Sequence, residues 1–237
     1  MLFFVVSFYR IVIGFVLFFG KVLTVRAVIC DGVEKSAVVC YGENSMSVAE
    51  KAYCPAVNNV IMVVNGTPAN NITKKEPKSI NVDCTTIVDG YYGDASRTFI
   101  IGKAPKKAVD LVEVTRQCLK LGLEAAKPWA HLGDIGAAIS SYARKRGYSV
   151  VTEFGGHGCG VEFHEDPFVC HVGKKNTGMV LVPGMTFTIE PMINMGKPGV
   201  FVDESNDWTV YTKDGSLSAQ FEHTILITET GIEILSK

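Results

Sequence analysis

Two aspartates, Asp83 and Asp94, lie on either side of an Asp89-Gly90 pair within a stretch rich in β-forming residues. An Asp-Gly pair tolerates the positive φ angles of a two-residue hairpin turn, which would pair residue 88 with residue 91. In that register the two aspartates are diagonal neighbours on one face of the sheet, about 7 Å apart at the backbone. Two carboxylates this close repel each other unless a cation lies between them. We therefore predict that both bind metal; a pair of solvent-exposed acids is the alternative.

A glycine-rich segment, residues 155–160, contains His157, and His164 follows seven residues later. Glycines on both sides of a histidine let the backbone and a ligand approach closely, which favours a binding site over a structural histidine. Imidazole is a common metal ligand, but the spacing alone leaves open which of the two histidines binds metal.

Glu190 and Glu222 each interrupt an apolar, strand-like run that contains no Lys or Arg. A buried acid in such a run needs a cation as its partner. Four carboxylates and one imidazole would nearly neutralise two divalent ions, and this ligand set suits Mn, Fe or Co as well as Zn. Two such ions about 3.5 to 4 Å apart lower the pKa of a bridging water and polarise the carbonyl that it attacks. The residues thus predict a hydrolytic two-metal site.

The elements that must position these residues begin with a predicted hairpin and continue with helical and strand patterns. The hairpin is expected at residues 79–88 and 91–101, helices at 106–126 and 132–146, and further strands at 59–64, 148–154, 184–193 and 218–228. This order predicts an α+β fold with helices packed on an antiparallel sheet.

The overall composition is that of a globular protein, but the first 30 residues differ from the rest. A formal net charge of -1 over 237 residues does not favour nucleic-acid binding. Seven cysteines without a CxxC pair indicate a reducing, cytoplasmic compartment rather than a disulfide framework. Residues 1–30 are strongly apolar and contain no acid, so a membrane anchor through residues 1–20 is an alternative to a buried strand pair or helix.

Six ordered motifs resemble type I methionine aminopeptidase. They are Val82-Asp83, Gly93-Asp94-Ala95-Ser96-Arg97, Gly156-His157-Gly158, Phe163-His164-Glu165-x-Pro167, Thr188-Ile189-Glu190-Pro191-Met192 and Gln220-Phe221-Glu222-His223-Thr224. The resemblance divides the chain into an apolar segment at 1–30, a divergent part at 31–78 and a catalytic region at 79–237. It implies the pita-bread fold, an antiparallel sheet with outer helices in two pseudo-symmetric halves. It also implies metal-dependent removal of N-terminal methionine from nascent polypeptides by a metal-bridged hydroxide.

The resemblance further implies a role for each site residue. The metal ligands would be Asp83, Asp94, His157, Glu190 and Glu222, with Asp94 and Glu222 bridging two ions of Co, Mn, Fe or Zn. His164 would hydrogen-bond the scissile amide, and Glu190 would take the proton of the attacking water. Phe163 and Trp208 would line the methionine pocket, although the same aromatics could be ordinary core. We expect a monomer whose partners are the N-terminal peptides of nascent chains, at the ribosome.

Upstream of Ser79 the resemblance almost disappears. The family has a substrate-contacting histidine eighteen residues before the first aspartate, and that position here is Asn65. Asparagine can hydrogen-bond the substrate but cannot exchange a proton near neutral pH, so turnover should be lower. The abrupt change suggests either a frameshifted N-terminal part or a divergent paralogue with a membrane anchor.

Three functions follow from these observations. The first is an active methionine aminopeptidase, which retention of all five predicted ligands favours. The second is a catalytically impaired or dead pita-bread protein that binds metal or peptide. The third is an X-Pro peptidase of the same fold, which the Thr-Ile-Glu-Pro-Met and Gln-Phe-Glu-His-Thr segments disfavour because they resemble the methionine enzyme.

Overall fold

The computed structural model describes six strands of the N-terminal part and most of the chain from Ser79 onwards. In the N-terminal part it gives the backbone of residues 7–8, 11–19, 22–29, 33–40, 50–54 and 57–66. Beyond them it describes residues 79–88, 90–100, 104–202, 204 and 210–236.

The described residues form strands first, then two helices, then shorter strands. The first strands are β1 Ser7–Phe8, β2 Ile11–Phe19, β3 Val22–Ile29, β4 Val33–Cys40, β5 Glu50–Cys54, β6 Val57–Gly66, β7 Ser79–Val88 and β8 Tyr91–Ile100. Helices α1 Lys106–Ala125 and α2 Leu132–Lys145 follow. The later strands are β9 Ser149–Val150, β10 Gly156–Gly158, β11 Glu165–Val169, β12 Thr186–Ile189, β13 Met192–Asn194, β14 Val200–Val202, β15 Val210–Thr212, β16 Ser218–Gln220, β17 Glu222–Ile227 and β18 Ile232–Ile234.

The largest sheet contains strands from both ends of the chain. Its order is β11-β10-β12-β17-β8-β7-β6-β5, and β18 pairs with β17. A four-stranded sheet, β1-β2-β3-β4, a three-stranded sheet, β16-β13-β9, and the β14-β15 pair complete the described strands. Every pairing is antiparallel, which confirms the predicted α+β class.

The hairpin of β7 and β8 forms in the predicted register. Val88 pairs with Tyr91 across the turn, Thr85 lies opposite Asp94, and Asp83 lies opposite Ser96. Gly90 has a φ of 86°, which explains why a glycine is needed at this position of a two-residue turn.

Helices α1 and α2 pack against each other and against the sheet. In the first turn of α2, the carboxylate of Asp134 accepts a hydrogen bond from the backbone N–H of His131, which precedes the helix. The helix ends before Gly147, which has a φ of 79°. Leu111, Ile139 and Phe187 are almost fully buried in the shared core. Burial of each such side chain stabilises the fold by about 1.5 to 3 kcal/mol.

Three predicted strands are shorter or divided in the structure, so their predicted bounds were wrong. The run 184–193 is divided into β12 and β13 at Glu190-Pro191, because proline has no N–H for the ladder. The run 218–228 is divided at Phe221, and only Ser149–Val150 of the run 148–154 forms a strand. Glu190 lies in one of these breaks, where its backbone N–H donates to Nε2 of buried His171 instead of a neighbouring strand.

The strand predicted at 59–64 lies within β6, which confirms it. Strands β2 and β3 occupy most of the apolar N-terminal segment and pair with each other. Within the part of the chain that is described, no helix is long and apolar enough to cross a membrane.

Candidate metal centre

Three adjacent strands bring acidic residues onto one face of the large sheet. Asp83 on β7 lies opposite Ser96 on β8, and Ser96 lies opposite Glu222 on β17. Asp94 is two residues before Ser96 on the same strand, so its side chain leaves the same face. The sheet register therefore brings Asp83, Asp94 and Glu222 together, although Glu222 is remote in sequence from the other two.

Asp94, His157 and Glu222 each offer one ligand atom, and these atoms all lie within 4.8 Å of one another. Glu190 joins this cluster, because its Oε1 lies 3.6 Å from Nε2 of His157. Asp83 joins it, since after burial the nearby charges of Asp94 and Glu190 do most to raise the pKa of its carboxyl. The structure thus brings the five predicted ligands close together, and their assignment as ligands remains a prediction.

His157 presents a defined nitrogen to the cluster. Its Nδ1 lies 2.9 Å from the carbonyl oxygen of Gly158, a contact that requires Nδ1 to carry the proton. Nε2 then has a free lone pair on the side of Glu190. A backbone carbonyl that fixes the tautomer in this way is the usual arrangement for a metal-binding histidine.

The surroundings of the four acids in the cluster disfavour their ionised forms. Burial raises the pKa of Asp83 and of Glu222 well above the usual carboxyl range, and the nearby charge of Asp94 raises both further. Burial, followed by Asp94, raises the pKa of Glu190 to about 8. Burial also raises the pKa of Asp94, although a hydrogen bond from Thr85 offsets part of this effect.

These residues fit a divalent metal. Glu222 is 1% exposed, and its Oε1 has no hydrogen-bond partner among the described residues. Burying a bare carboxylate oxygen is costly unless a cation or a donor compensates it. Burial lowers the pKa of His157, which keeps the imidazole neutral and able to bind metal.

The solvent side of the cluster is formed by aromatic rings. The ring of His164 lies 4.3 Å from that of His157, and His164 is exposed. Phe163 stacks on Tyr92 with a centroid distance of 5.6 Å. The structure thus separates the two histidines, with His157 inside the cluster and His164 at its mouth.

Two predicted substrate residues cannot be placed in full. Trp208 lies outside the described residues. Asn65 is described by its backbone alone, which lies on β6 opposite Asn81 of β7 and two positions from the Val63–Asp83 pair. Their roles remain predictions.

Several residues around the cluster were not predicted from the sequence. Thr85 Oγ1 donates to Asp94, Thr188 Oγ1 donates to Glu190 Oε1, and Gln220 Nε2 donates to Glu190 Oε2. Thr85 lies opposite Asp94 in the predicted register and could have been inferred. The Gln220 contact depends on the pairing of β13 with β16, for which the sequence gives no signal.

Comparison with known proteins places the chain in a family. The profile of metallopeptidase family M24 matches residues 24–229. The chain belongs to metallopeptidase family M24. The match begins upstream of Ser79, and the domain boundaries predicted at residues 30 and 78 remain predictions.

Relatives within family M24 agree with the predicted resemblance. The chain is 52% identical over 187 residues to methionine aminopeptidase A of Synechocystis sp., covering 78% of this chain and 72% of that protein. It is 46% identical over 186 residues to methionine aminopeptidase of Escherichia coli K12, covering 78% and 69%. The crystal structure of methionine aminopeptidase from Rickettsia prowazekii superposes with a TM-score of 0.68 at 43% identity, covering 74% and 73%. The resemblance to methionine aminopeptidase and its pita-bread fold are confirmed.

Proposed function

We propose that this chain is a metal-dependent methionine aminopeptidase, which removes the N-terminal methionine of polypeptides. The observation that carries this proposal is the buried cluster of Asp94, His157 and Glu222, with ligand atoms within 4.8 Å and an exposed histidine at its mouth. Relatives 45 to 52% identical are methionine aminopeptidases, so neither the X-Pro peptidase nor the dead paralogue is favoured.

Two divalent ions, chosen from Mn, Fe, Co and Zn, are the cofactors that we propose. Four acids and one neutral imidazole nearly balance two divalent charges, and the donor set is rich in oxygen. When bound, such ions activate water at neutral pH and polarise the peptide carbonyl.

His164 and Glu190 are the residues to which we assign proton and substrate chemistry. His164 is exposed at the mouth of the cluster, where its imidazole can donate a hydrogen bond to the scissile amide. Glu190 is buried within the cluster, and its carboxylate, placed beside the proposed ions, can accept the proton of the attacking water. Phe163, stacked on Tyr92, offers an apolar wall to the methionine side chain.

We also propose that the protein acts in the cytoplasm, as a monomer, on nascent chains at the ribosome. The described cysteines Cys118, Cys159 and Cys170 are free thiols, in keeping with a reducing compartment.

The purified protein should be incubated with Mn or Co and the peptides Met-Gly-Met and Met-Ala, with an X-Pro peptide in parallel. Release of methionine from the first two, abolished by a chelator, supports the proposal. Cleavage of only the X-Pro peptide would contradict the proposal and support an X-Pro peptidase instead. Metal binding without release from any peptide would replace it with a binding role.

A further inference from the structure

The carboxylate of Glu190 is hydrogen-bonded at both of its oxygens. Thr188 Oγ1 donates to Oε1 at 2.9 Å, and Gln220 Nε2 donates to Oε2 at 3.1 Å. Rotation of a glutamate carboxylate about its last side-chain bond has only broad preferences, so the side chain alone does not fix the carboxylate plane. The two donors together fix this plane, and they direct Oε1 towards Nε2 of His157, 3.6 Å away.

Gln220 is itself held firmly by backbone contacts. Its N–H donates to Thr98 Oγ1 at 3.2 Å, and its carbonyl oxygen accepts from Thr98 Oγ1 at 2.7 Å. The same carbonyl accepts from Nδ2 of buried Asn81 at 3.1 Å. The backbone of Gln220 is therefore fixed, and ordering its amide against Glu190 costs only the rotamer freedom of the side chain.

The position of Gln220 also connects two predicted ligands. It lies two residues before Glu222, and it pairs across the three-stranded sheet with Met192, two residues after Glu190. A movement of Gln220 would therefore displace both Glu190 and Glu222. Glu190 forms no salt bridge with a Lys or Arg among the described residues, and the donors to its carboxylate are the neutral groups of Thr188 and Gln220.

We propose that Gln220 is a positioning residue that fixes the carboxylate of Glu190 for metal binding. The amide supplies two donors, so it can hold a metal-binding carboxylate without adding a charge that competes with the cation. This inference rests on the proposed function, since it assumes that Glu190 is a ligand. It goes beyond that function by assigning metal affinity to a residue outside the ligand set.

The first test measures metal affinity by calorimetry in the Gln220→Met variant, which keeps a side chain of similar length but has no donor. We expect the dissociation constant for Mn or Co to rise about 10- to 100-fold, the usual effect of losing an outer hydrogen bond to a ligand. At saturating metal, kcat should fall while KM stays near the wild-type value. The matched control is Gln117→Met on α1, which should change neither quantity.

The outcomes separate this inference from the proposed function. Unchanged metal affinity in Gln220→Met, even with a lower Tm, would mean that Gln220 is only structural and would overturn the inference alone. Wild-type protein that binds no metal would overturn both the inference and the proposed function.

A second measurement is made on the wild-type protein and does not depend on how well Gln220→Met folds. The chain contains two glutamines, Gln117 and Gln220, so ¹⁵N-glutamine labelling gives two pairs of side-chain amide signals, which Gln117→Met assigns. We expect the Gln220 amide protons to exchange with water more slowly than those of Gln117, and to shift when metal is added. Equal exchange rates without a shift on metal addition would overturn the proposal.

Discussion

His157 and His164 are neighbours whose rings lie 4.3 Å apart, yet their surroundings suit them to different tasks. The side chain of His157 is 12% exposed, and its proton is committed to the carbonyl of Gly158. His164 is more exposed, and the partial burial of its ring, followed by the adjacent His157, lowers its pKa. Both imidazoles are therefore neutral at pH 7, but only His157 directs a lone pair at the acids.

Alanine substitution of each histidine should separate these tasks. His157→Ala removes a predicted ligand, so metal affinity should fall more than about 100-fold, beyond the effect of losing an outer hydrogen bond. His164→Ala should keep its metal while kcat falls about 10²- to 10⁴-fold, the range for loss of a proton-transferring group. Metal analysis and methionine release measured on both variants check this prediction. Metal loss in His164→Ala, or its retention in His157→Ala, would reverse the assignment.

The sequence predicted part of this site from local geometry. The proximity of Asp83 and Asp94 followed from the turn at Gly90, because a two-residue hairpin allows only one register. The choice between His157 and His164 could not follow from spacing, since it depends on which ring faces the acids in the folded sheet. The resemblance to methionine aminopeptidase made that choice, and the roles of the two histidines remain predictions.

Strand β10 carries His157 and depends on close backbone packing around it. A Cβ at Gly156 would lie 2.2 Å from the carbonyl oxygen of Thr188, and a Cβ at Gly158 would lie 2.2 Å from that of Asp166. Backbone atoms on neighbouring elements cannot move aside as a flexible side chain can. The glycines thus allow His157 to reach the acids.

We expect Gly156→Ala to destabilise the protein by about 1 to 3 kcal/mol, the cost of overpacking, and to weaken metal binding. Gly231→Ala is the matched control, because a Cβ there meets nothing within 4 Å and no positive φ is required. Urea unfolding and metal titration of the two variants give the comparison. Similar free energies of unfolding for both variants would show that β10 can shift without loss of stability.

The first turn of α2 offers a prediction with a defined pH dependence. Asp134 accepts hydrogen bonds from the backbone N–H groups of Asn176 and His131, at 2.9 and 2.8 Å. The first of these, followed by the second, holds the pKa of Asp134 below its ordinary value. The folded protein therefore binds this proton less readily than the unfolded chain, so the stabilisation is present above about pH 4 and is lost as pH falls through the lowered pKa.

Asp134→Ala should accordingly lower the free energy of unfolding by about 1 kcal/mol at neutral pH, the usual effect of losing a helix cap. The deficit should shrink at about pH 3 and below, where the wild-type carboxyl also becomes protonated. Asp110→Ala on α1, which loses only an exposed pair with Lys106, should change stability by less than about 1 kcal/mol. A deficit in Asp134→Ala that does not depend on pH would contradict the assignment to an ionised cap.

Element types followed from the sequence more readily than element ends. Helices α1 and α2 were predicted within one residue, because Pro128 and Gly147 mark where a helix must stop. The breaks at Glu190 and Phe221 were missed since apolar patterns continue through both positions. The first is marked locally by Pro191, which the apolar pattern outweighed. The second arises because β16 pairs with β13 while β17 pairs with β12 and β8, which a local pattern does not contain.

The predicted ligands lie on or beside strands that become neighbours only when the whole chain has folded. Strand β17, with Glu222, lies between β12 and β8 in the large sheet. Binding of metal to a site of this kind stabilises the folded chain, because the unfolded chain lacks the site.

Free metal at about 100 times its dissociation constant should stabilise the protein by about 2.7 kcal/mol and raise Tm by about 5 to 10 °C. A chelator should reverse the rise, and Asp94→Asn should show little of it because Asp94 is predicted to bridge both ions. Calorimetry with and without Mn or Co measures both effects. An equal rise in Asp94→Asn would place the stabilising metal elsewhere.

The position of β17 also sets an order of events during biosynthesis. Until this strand has left the ribosome, β8 and β12 have no common neighbour, and the acids contributed by early and late segments cannot meet. The complete set of predicted ligands therefore cannot guide the first steps of folding. Its uptake by a growing or refolding chain would instead mark the moment when the last strands close the sheet, so a metal-sensitive fluorophore would time that closure.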